Sequence, residues 1–297
     1  MATSSSVAVG STELSRLVAL LLWSLAHAPF GLARFYVTLL DLAIPRLRRT
    51  ALRNLELAYP EKSPADRRAV ADEVFRSIAR LIWVFARFPN INRQNISQWI
   101  RYEGLEHYLE AKKAGRGILF ATAHFGNWEL SAFAHALMTE PMHIMIRPLD
   151  NPAVDAQVEA RRQLTGNHLI VKWDAARAVL RALHQNEAVG VLIDQNTSLD
   201  EGVFVDFFGT PACANTAFAK IAAKTGAAVI PGFAIWHEDE KRYVLKFHPP
   251  LEISGDAAED TRRLHAILER VIREHPGQWL WIHRRWKTRP PGESSLY

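Results

Sequence analysis

The chain has 297 residues, 48% of them hydrophobic, with a formal charge of +5 from 36 basic and 31 acidic side chains. That much apolar material excludes wholesale disorder and supplies one large α/β domain, with or without an extension. The mild positive excess suits an anionic membrane surface or a phosphorylated substrate, and equally an ordinary basic protein.

The first 13 residues are small and polar and read as a disordered N-terminus. Residues 14–60 read as a membrane-associated helical segment. From Leu17 to Ala33 the only ionisable side chain is His27, and a basic patch of Arg46, Arg48, Arg49 and Arg53 follows. A spanning helix needs roughly 20 mostly apolar residues. This run just reaches that length, but Pro29 and Gly31 sit inside it. Three readings stand: a single span, a kinked helix lying in the interface, or a buried helix of the globular part. The arginines favour membrane attachment, with the rest of the chain on the cytoplasmic face.

Residues 61–297 read as one catalytic domain. A helix over 64–88 has Ser63 as N-cap and Pro64 at its first position. A short helix covers 104–113. Then strands and helices alternate: strands at 117–123, 143–148, 168–172 and 188–194, and helices at 127–138, 152–163, 175–185 and 214–226, the last with Asn215 as N-cap. Two more strands follow near 227–236 and 243–249, then an amphipathic helix over 261–276. This alternation predicts an α/β fold with a largely parallel sheet flanked by helices. The lone cysteine, Cys213, rules out an intramolecular disulfide, suggests a reducing compartment and reads as a small buried residue. Of nine tryptophans, Trp279, Trp281 and Trp286 fall close together, as at a membrane interface or in a core.

His124 lies where the strand 117–123 ends and a helix begins, the edge at which α/β sheets form active sites. Asn127 can cap that helix, which puts Glu129 in its first turn beside the loop that carries His124. A neutral imidazole can take a hydroxyl proton as a bond forms. A carboxylate on the other ring nitrogen fixes the tautomer and stabilises the imidazolium, and Glu129 is the expected partner. The five-residue spacing alone is weak: His135 and Glu140 repeat it. Within a helix that spacing separates two side chains by about 140°, so the second pair reads as coincidence.

The run HFGNWE at 124–129 resembles the active-site motif of the bacterial lipid A biosynthesis acyltransferases, within the wider glycerolipid and lysophospholipid acyltransferases marked by H-x4-D/E. IRPLDNP (146–152), DQN (194–196) with GVFVDFFGTPA (202–212), and QWLWIHRRWKTRP (278–290) are similar to further motifs of that family, in order along the chain. The resemblance covers about 15–290. It implies a glycerolipid acyltransferase-like fold, a bacterial inner-membrane location, an acyl carrier protein or coenzyme A thioester as donor, a hydroxyl of a lipid A precursor as acceptor, and no cofactor. It implies His124 as base with Glu129 as its partner, a functional arginine at Arg161 or Arg162, a functional aspartate at Asp194, and Thr216 in place of a family threonine pair. The motifs depart from the family at Cys-Ala-Asn-Thr (213–216) and at DQN, which leaves the acceptor and chain length open. Another glycolipid or phospholipid acceptor, a hydrolase using the same site, and a non-catalytic membrane-surface binding protein are the alternatives.

Arg147, just beyond the apolar strand residues HIMI (143–146), can hold a phosphate bidentately. Asp194 ends a buried strand and can bind substrate, orient an arginine or cap a turn. Asn127 is counted with the acceptor site. HRRWK (283–287) can meet lipid phosphate or an acidic carrier protein. Metal-ligand, P-loop and dinucleotide patterns do not occur, and no feature calls for nucleic acid.

Overall fold

A computed structural model describes residues 3–171 and 175–297, with side chains from residue 14 onward. Four helices come first: α1 (Thr3–His27), α2 (Phe30–Ala43), α3 (Pro45–Ala58) and α4 (Pro64–Ala86). The polar residues expected to be disordered are, from Thr3 on, part of α1. They contain no proline and one glycine, Gly10, so a helix nucleated in the leucine-rich part propagates back through them. Residues 1–2 lie outside the described residues.

The apolar stretch is not one rod. Pro29 sits in extended conformation (φ −64°, ψ 161°) between α1 and α2, and Pro45 opens α3. Among the described residues, no helix is long and apolar enough to cross a membrane. Leu22 and Leu25 of α1 and Ala33 and Val37 of α2 pack in a core shared with Phe75 and Ala79 of α4. Their opposite faces leave Leu17, Leu20, Trp23, Phe35, Leu39 and Leu42 exposed. α4 starts as read: Ser63 Oγ accepts the Asp66 N–H at 3.1 Å and the Asp66 carboxylate answers the Ser63 backbone, a reciprocal cap.

The rest alternates: β1 (Ile100–Glu103), α5 (Leu105–Lys113), β2 (Ile118–Thr122), α6 (Trp128–Met138), β3 (His143–Ile146), α7 (Pro152–Arg162), β4 (His168–Val171), α8 (Ala175–His184), β5 (Ala188–Leu192), β6 (Gly202–Phe207), β7 (Thr210–Asn215), α9 (Ala217–Thr225), β8 (Ala228–His237), β9 (Arg242–Phe247) and α10 (Ala257–Glu274). Lys172, read as the end of a strand, lies outside the described residues. The seven-stranded sheet has the order β1-β9-β8-β2-β5-β3-β4. Its described pairs are parallel except β8 with β9, as the alternation predicts for a mostly parallel sheet. Phe120 and Ile230 face α5 and α6 on one side. Leu119 and Val229 face α8 and α9 on the other.

Two features escape the sequence reading. β1 is a four-residue edge strand with two charged side chains, too short to show a period. The hairpin β6–β7 has Phe207 opposite Thr210, so Phe208 and Gly209 alone make the turn, at φ 57° and 73°. Two positive φ angles define a primed turn, usually marked by Asn-Gly. Phe208 disguises it. Its strained backbone is held by burial of the ring against Tyr59 and Trp281, at centroid distances of 5.4 and 5.7 Å. The hairpin takes up residues 214–215, so α9 starts at Ala217; Asn215 still accepts the Ala217 N–H at 2.8 Å.

Candidate active site

Strands β2 and β5 are parallel neighbours, and Thr122 pairs with Leu192. His124 and Asp194 therefore each stand two residues beyond the same rung, and the register brings them together. His124 Nδ1 lies 2.9 Å from Asp194 Oδ1, and the His124 backbone N–H donates to Oδ2 at 3.0 Å. The Trp279 indole N–H donates to Oδ2 as well, at 2.8 Å. Asp194 is 3% exposed. Burial opposes its charge, but the charge and hydrogen bonds of His124 and the bonds from Trp279 and the His124 backbone outweigh it and hold the carboxyl well below its usual range. An ionised carboxylate only accepts, so Nδ1 carries the proton and Nε2 is left as the free base. Burial lowers the pKa of His124, and Asp194 more than reverses this, so the imidazole titrates above its ordinary value.

The carboxylate on the second ring nitrogen is thus Asp194, not Glu129. Glu129 sits in the first turn of α6 and faces away to Arg162, which donates from Nε to Oε2 at 2.9 Å and from Nη2 to Oε1 at 2.5 Å. The Trp128 indole also donates to Oε1, at 3.1 Å. Of the two candidate arginines, Arg162 is the one at the site. Arg161 turns back along α7 onto Gln157, at 3.2 Å.

Asn127 caps α6, accepting the Leu130 N–H at 3.0 Å. It is fully buried and does not line the cavity, so its place is structural and not at the acceptor. Gly126 has φ 57°, and a Cβ there would lie 1.8 Å from the Ala234 carbonyl oxygen. Only glycine fits this approach. His135 and Glu140 do not meet as a pair. His135 is buried, with Nδ1 2.8 Å from the Tyr102 hydroxyl, and burial lowers its pKa to about 3. Glu140 bonds Tyr108 and Lys112.

A cavity of about 830 Å³ opens at this sheet edge. That volume suits a ligand with a long apolar part. Its depth is lined by Phe120, Met142, Leu245 and Phe247 towards α6 and by Val179, Phe218 and Ile221 towards α8 and α9. Its mouth carries His124, Glu129, Arg162, Arg147, Asn196 and Lys220. Arg147 is exposed and pairs with Asp150 at 2.9 Å. Thr216 lines the cavity beside α9. The site can remove a proton from a polar group at the mouth while a chain lies in the depth.

The C-terminal segment, whose sequence gave no sign of its position, runs between the loops of the site. Gly126 N–H donates to the Gln278 carbonyl at 2.8 Å and Leu280 N–H to the His124 carbonyl at 2.9 Å. His283 Nε2 accepts the Asn196 N–H at 3.0 Å. Burial lowers the pKa of His283 to about 4, in keeping with that accepting role. HRRWK is accordingly not a surface cluster. Arg285 and Trp286 are fully buried, with Arg285 bonded to the Cys213 carbonyl at 2.6 Å, and only Arg284 and Lys287 are exposed. Trp279, Trp281 and Trp286 are core residues, and so is Cys213.

A histidine paired with a buried carboxylate beside a largely apolar cavity on an α/β sheet edge is an arrangement suited to taking a proton from a bound hydroxyl, and comparison with known proteins gives the class, an O-acyltransferase. The chain belongs to the bacterial lipid A biosynthesis acyltransferases, whose family model matches residues 2–288. It is similar to the lipid A biosynthesis lauroyltransferase of Escherichia coli K12, 31% identical over 93% of this chain and 92% of the relative. It is similar also to the palmitoleoyltransferase of that strain, 30% identical over 93% and 92%, and to its myristoyltransferase, 28% identical over 84% and 78%.

Proposed function

We propose that the protein moves a fatty acyl chain from an acyl carrier protein or coenzyme A thioester to a hydroxyl of a lipid A precursor, by direct attack, with His124 as general base. The observation that carries this reading is the Nδ1–Asp194 pairing at 2.9 Å, which leaves Nε2 free beside the cavity mouth. The acceptor O–H gives its proton to Nε2 as its oxygen bonds to the thioester carbonyl carbon. The tetrahedral intermediate collapses, the C–S bond breaks, and the leaving sulfur takes the proton back from the imidazolium. The acceptor hydroxyl is itself the nucleophile, so no covalent acyl-enzyme is needed. Glu129 serves this scheme by holding Arg162 at the mouth, where the guanidinium, with Arg147 and Lys220, meets anionic parts of the substrates.

The apolar face of α1 and α2 supports attachment to the cytoplasmic leaflet of the inner membrane, with the helices lying in the interface. Exposed Arg16, Arg34, Arg46 and Arg49 border that face and complement anionic headgroups. α1 packs on α7, the helix of Arg162, so this surface lies near the mouth.

The test is incubation of the purified protein with an acyl-thioester and a lipid A precursor. An acylated lipid by mass spectrometry is expected. Thioester consumption with free fatty acid as the product, and no acylated lipid, would assign the same site to hydrolysis.

A further inference from the structure

Trp279 lies 85 residues from Asp194 in sequence, in the segment that threads the site. It is 2% exposed, and its indole N–H points at Asp194 Oδ2 at 2.8 Å. The ring is wedged in place. Trp281 meets it edge-on at a centroid distance of 4.6 Å and Phe207 at 5.6 Å. The backbone of Trp279 bridges that of Phe125, so the residue is tied to the His124 loop as well. We propose that Trp279 is a positioning residue for acyl transfer: its indole N–H fixes the rotation of the Asp194 carboxylate, so that Oδ1 faces His124 Nδ1 and Nε2 faces the substrate. The inference rests on the reading of His124 as base.

Without the indole donor, Oδ2 keeps a single partner, the His124 backbone N–H. The carboxylate is then free to turn within its plane and to concentrate its charge on the imidazole. Two consequences follow. The base is less well aimed, and its protonated form is favoured. The other charged or titratable groups around the pair are Glu129 on α6, Arg162 on α7, His265 on α10, and His283 and Arg285 on the C-terminal segment. Replacing Trp279 by phenylalanine alters none of them.

The experiment compares Trp279→Phe with Trp281→Phe in the full-length protein. Trp281 is also fully buried, and its indole N–H also makes a short bond, to the Pro276 carbonyl at 2.7 Å, but it does not reach Asp194. The two variants lose the same ring atoms and one indole N–H bond each, in Trp279 to a carboxylate and in Trp281 to a neutral carbonyl. Trp279→Phe is expected to lower kcat by about tenfold above the acid limb and to move that limb to higher pH by roughly half a unit. Trp281→Phe is expected to leave the limb where it is. An unmoved limb in Trp279→Phe, or equal shifts in both variants, would overturn the proposal. Should Trp279→Phe not fold, 15N-tryptophan labelling of the Trp128→Phe variant decides, because the Trp128 ring also lies against His124, at a centroid distance of 5.1 Å: one remaining indole resonance must follow the titration of His124, and none doing so would refute the assignment. Failure of the underlying reading shows separately, as transfer by His124→Ala.

Discussion

Arg162 grips both carboxylate oxygens of Glu129, at 2.9 and 2.5 Å, and so ties the last turn of α7 to the first turn of α6 across the cavity mouth. Both side chains are largely buried, with 15% and 12% of their surface exposed. A two-pronged pair in that setting is strong, and removing one partner strands the other charge. The acid of the H-x4-E motif therefore anchors an arginine, while a second acid, from another strand, serves the histidine.

Glu129→Gln separates these roles. It is expected to destabilise the protein by roughly 1–3 kcal/mol and to raise KM for the acceptor. Arg162→Gln should do the same, and the double variant should cost less than the sum. Thermal melting and steady-state kinetics check this. Strict additivity would contradict the coupling.

Asp194→Asn removes an acceptor that His124 Nδ1–H needs and allows the wrong tautomer. A loss in kcat of roughly 10³–10⁴-fold is expected, by analogy with triads in which the same change has been made. The pH profile carries the sign. Transfer needs neutral His124, whose pKa Asp194 raises above its ordinary value near 6.5. Wild-type activity should thus rise with pH along a limb centred above 6.5, and in Asp194→Asn that limb should move down. In Glu129→Gln it should move less, because Asp194 remains. Equal shifts in the two variants would contradict this division of labour.

Acid should destabilise the fold in a defined window. Burial lowers the pKa of His135 to about 3 and of His265 and His283 to about 4. The folded state holds these rings neutral, while the unfolded chain protonates them near pH 6.5. Their stabilising contribution is complete above 6.5 and declines as pH falls towards the folded values, by about 1.4 kcal/mol per pH unit for each ring. The melting temperature should drop steadily between pH 6.5 and 4. A flat profile there would show that these rings are not buried neutral.

Two glycines with positive φ should respond differently. Gly126→Ala puts a methyl group against the Ala234 carbonyl and should abolish folding or activity. Gly209→Ala, in the hairpin turn at φ 73° with open space around it, should cost only about 1 kcal/mol of backbone strain. Similar melting temperatures for the two variants would contradict the close approach at Gly126.

The α1–α2 face should govern membrane binding. Leu20→Glu and Trp23→Glu lie on exposed positions, so the melting temperature should hold while binding to vesicles with an anionic lipid fraction falls. Each lost apolar contact is worth about 1.5–3 kcal/mol, or roughly tenfold or more in affinity. Cosedimentation measures this. Unchanged binding in the double variant would move the membrane contact elsewhere.

How much of this was legible in the sequence depended on whether a feature is local. The helix caps at Ser63 and Asn127 and the position of His124 at a strand end follow from neighbouring residues and are found; the buried strands expected at 117–123 and 188–194 form as Ile118–Thr122 and Ala188–Leu192. The choice of Asp194 over Glu129 was not legible. It depends on β2 pairing with β5, which hydrophobic pattern does not specify, although the residues just past those two strands were both singled out. The burial of Arg285 is hidden for the same reason, since an Arg-Arg-Trp run looks like surface until the hairpin that covers it is in place; for the tryptophans the structure selects the core over the membrane interface. At the N-terminus, Pro29 inside the apolar run already points to a break, which the structure places between α1 and α2; which face of each helix is buried depends on α4 and is not local.

The central claim is that His124, poised by Asp194, is the base. Single-turnover transfer from an acyl-thioester to the lipid acceptor by His124→Ala, compared with the wild type at equal melting temperature, tests it most directly. A loss of roughly 10³-fold or more is expected. A rate within tenfold of the wild type would contradict the mechanism.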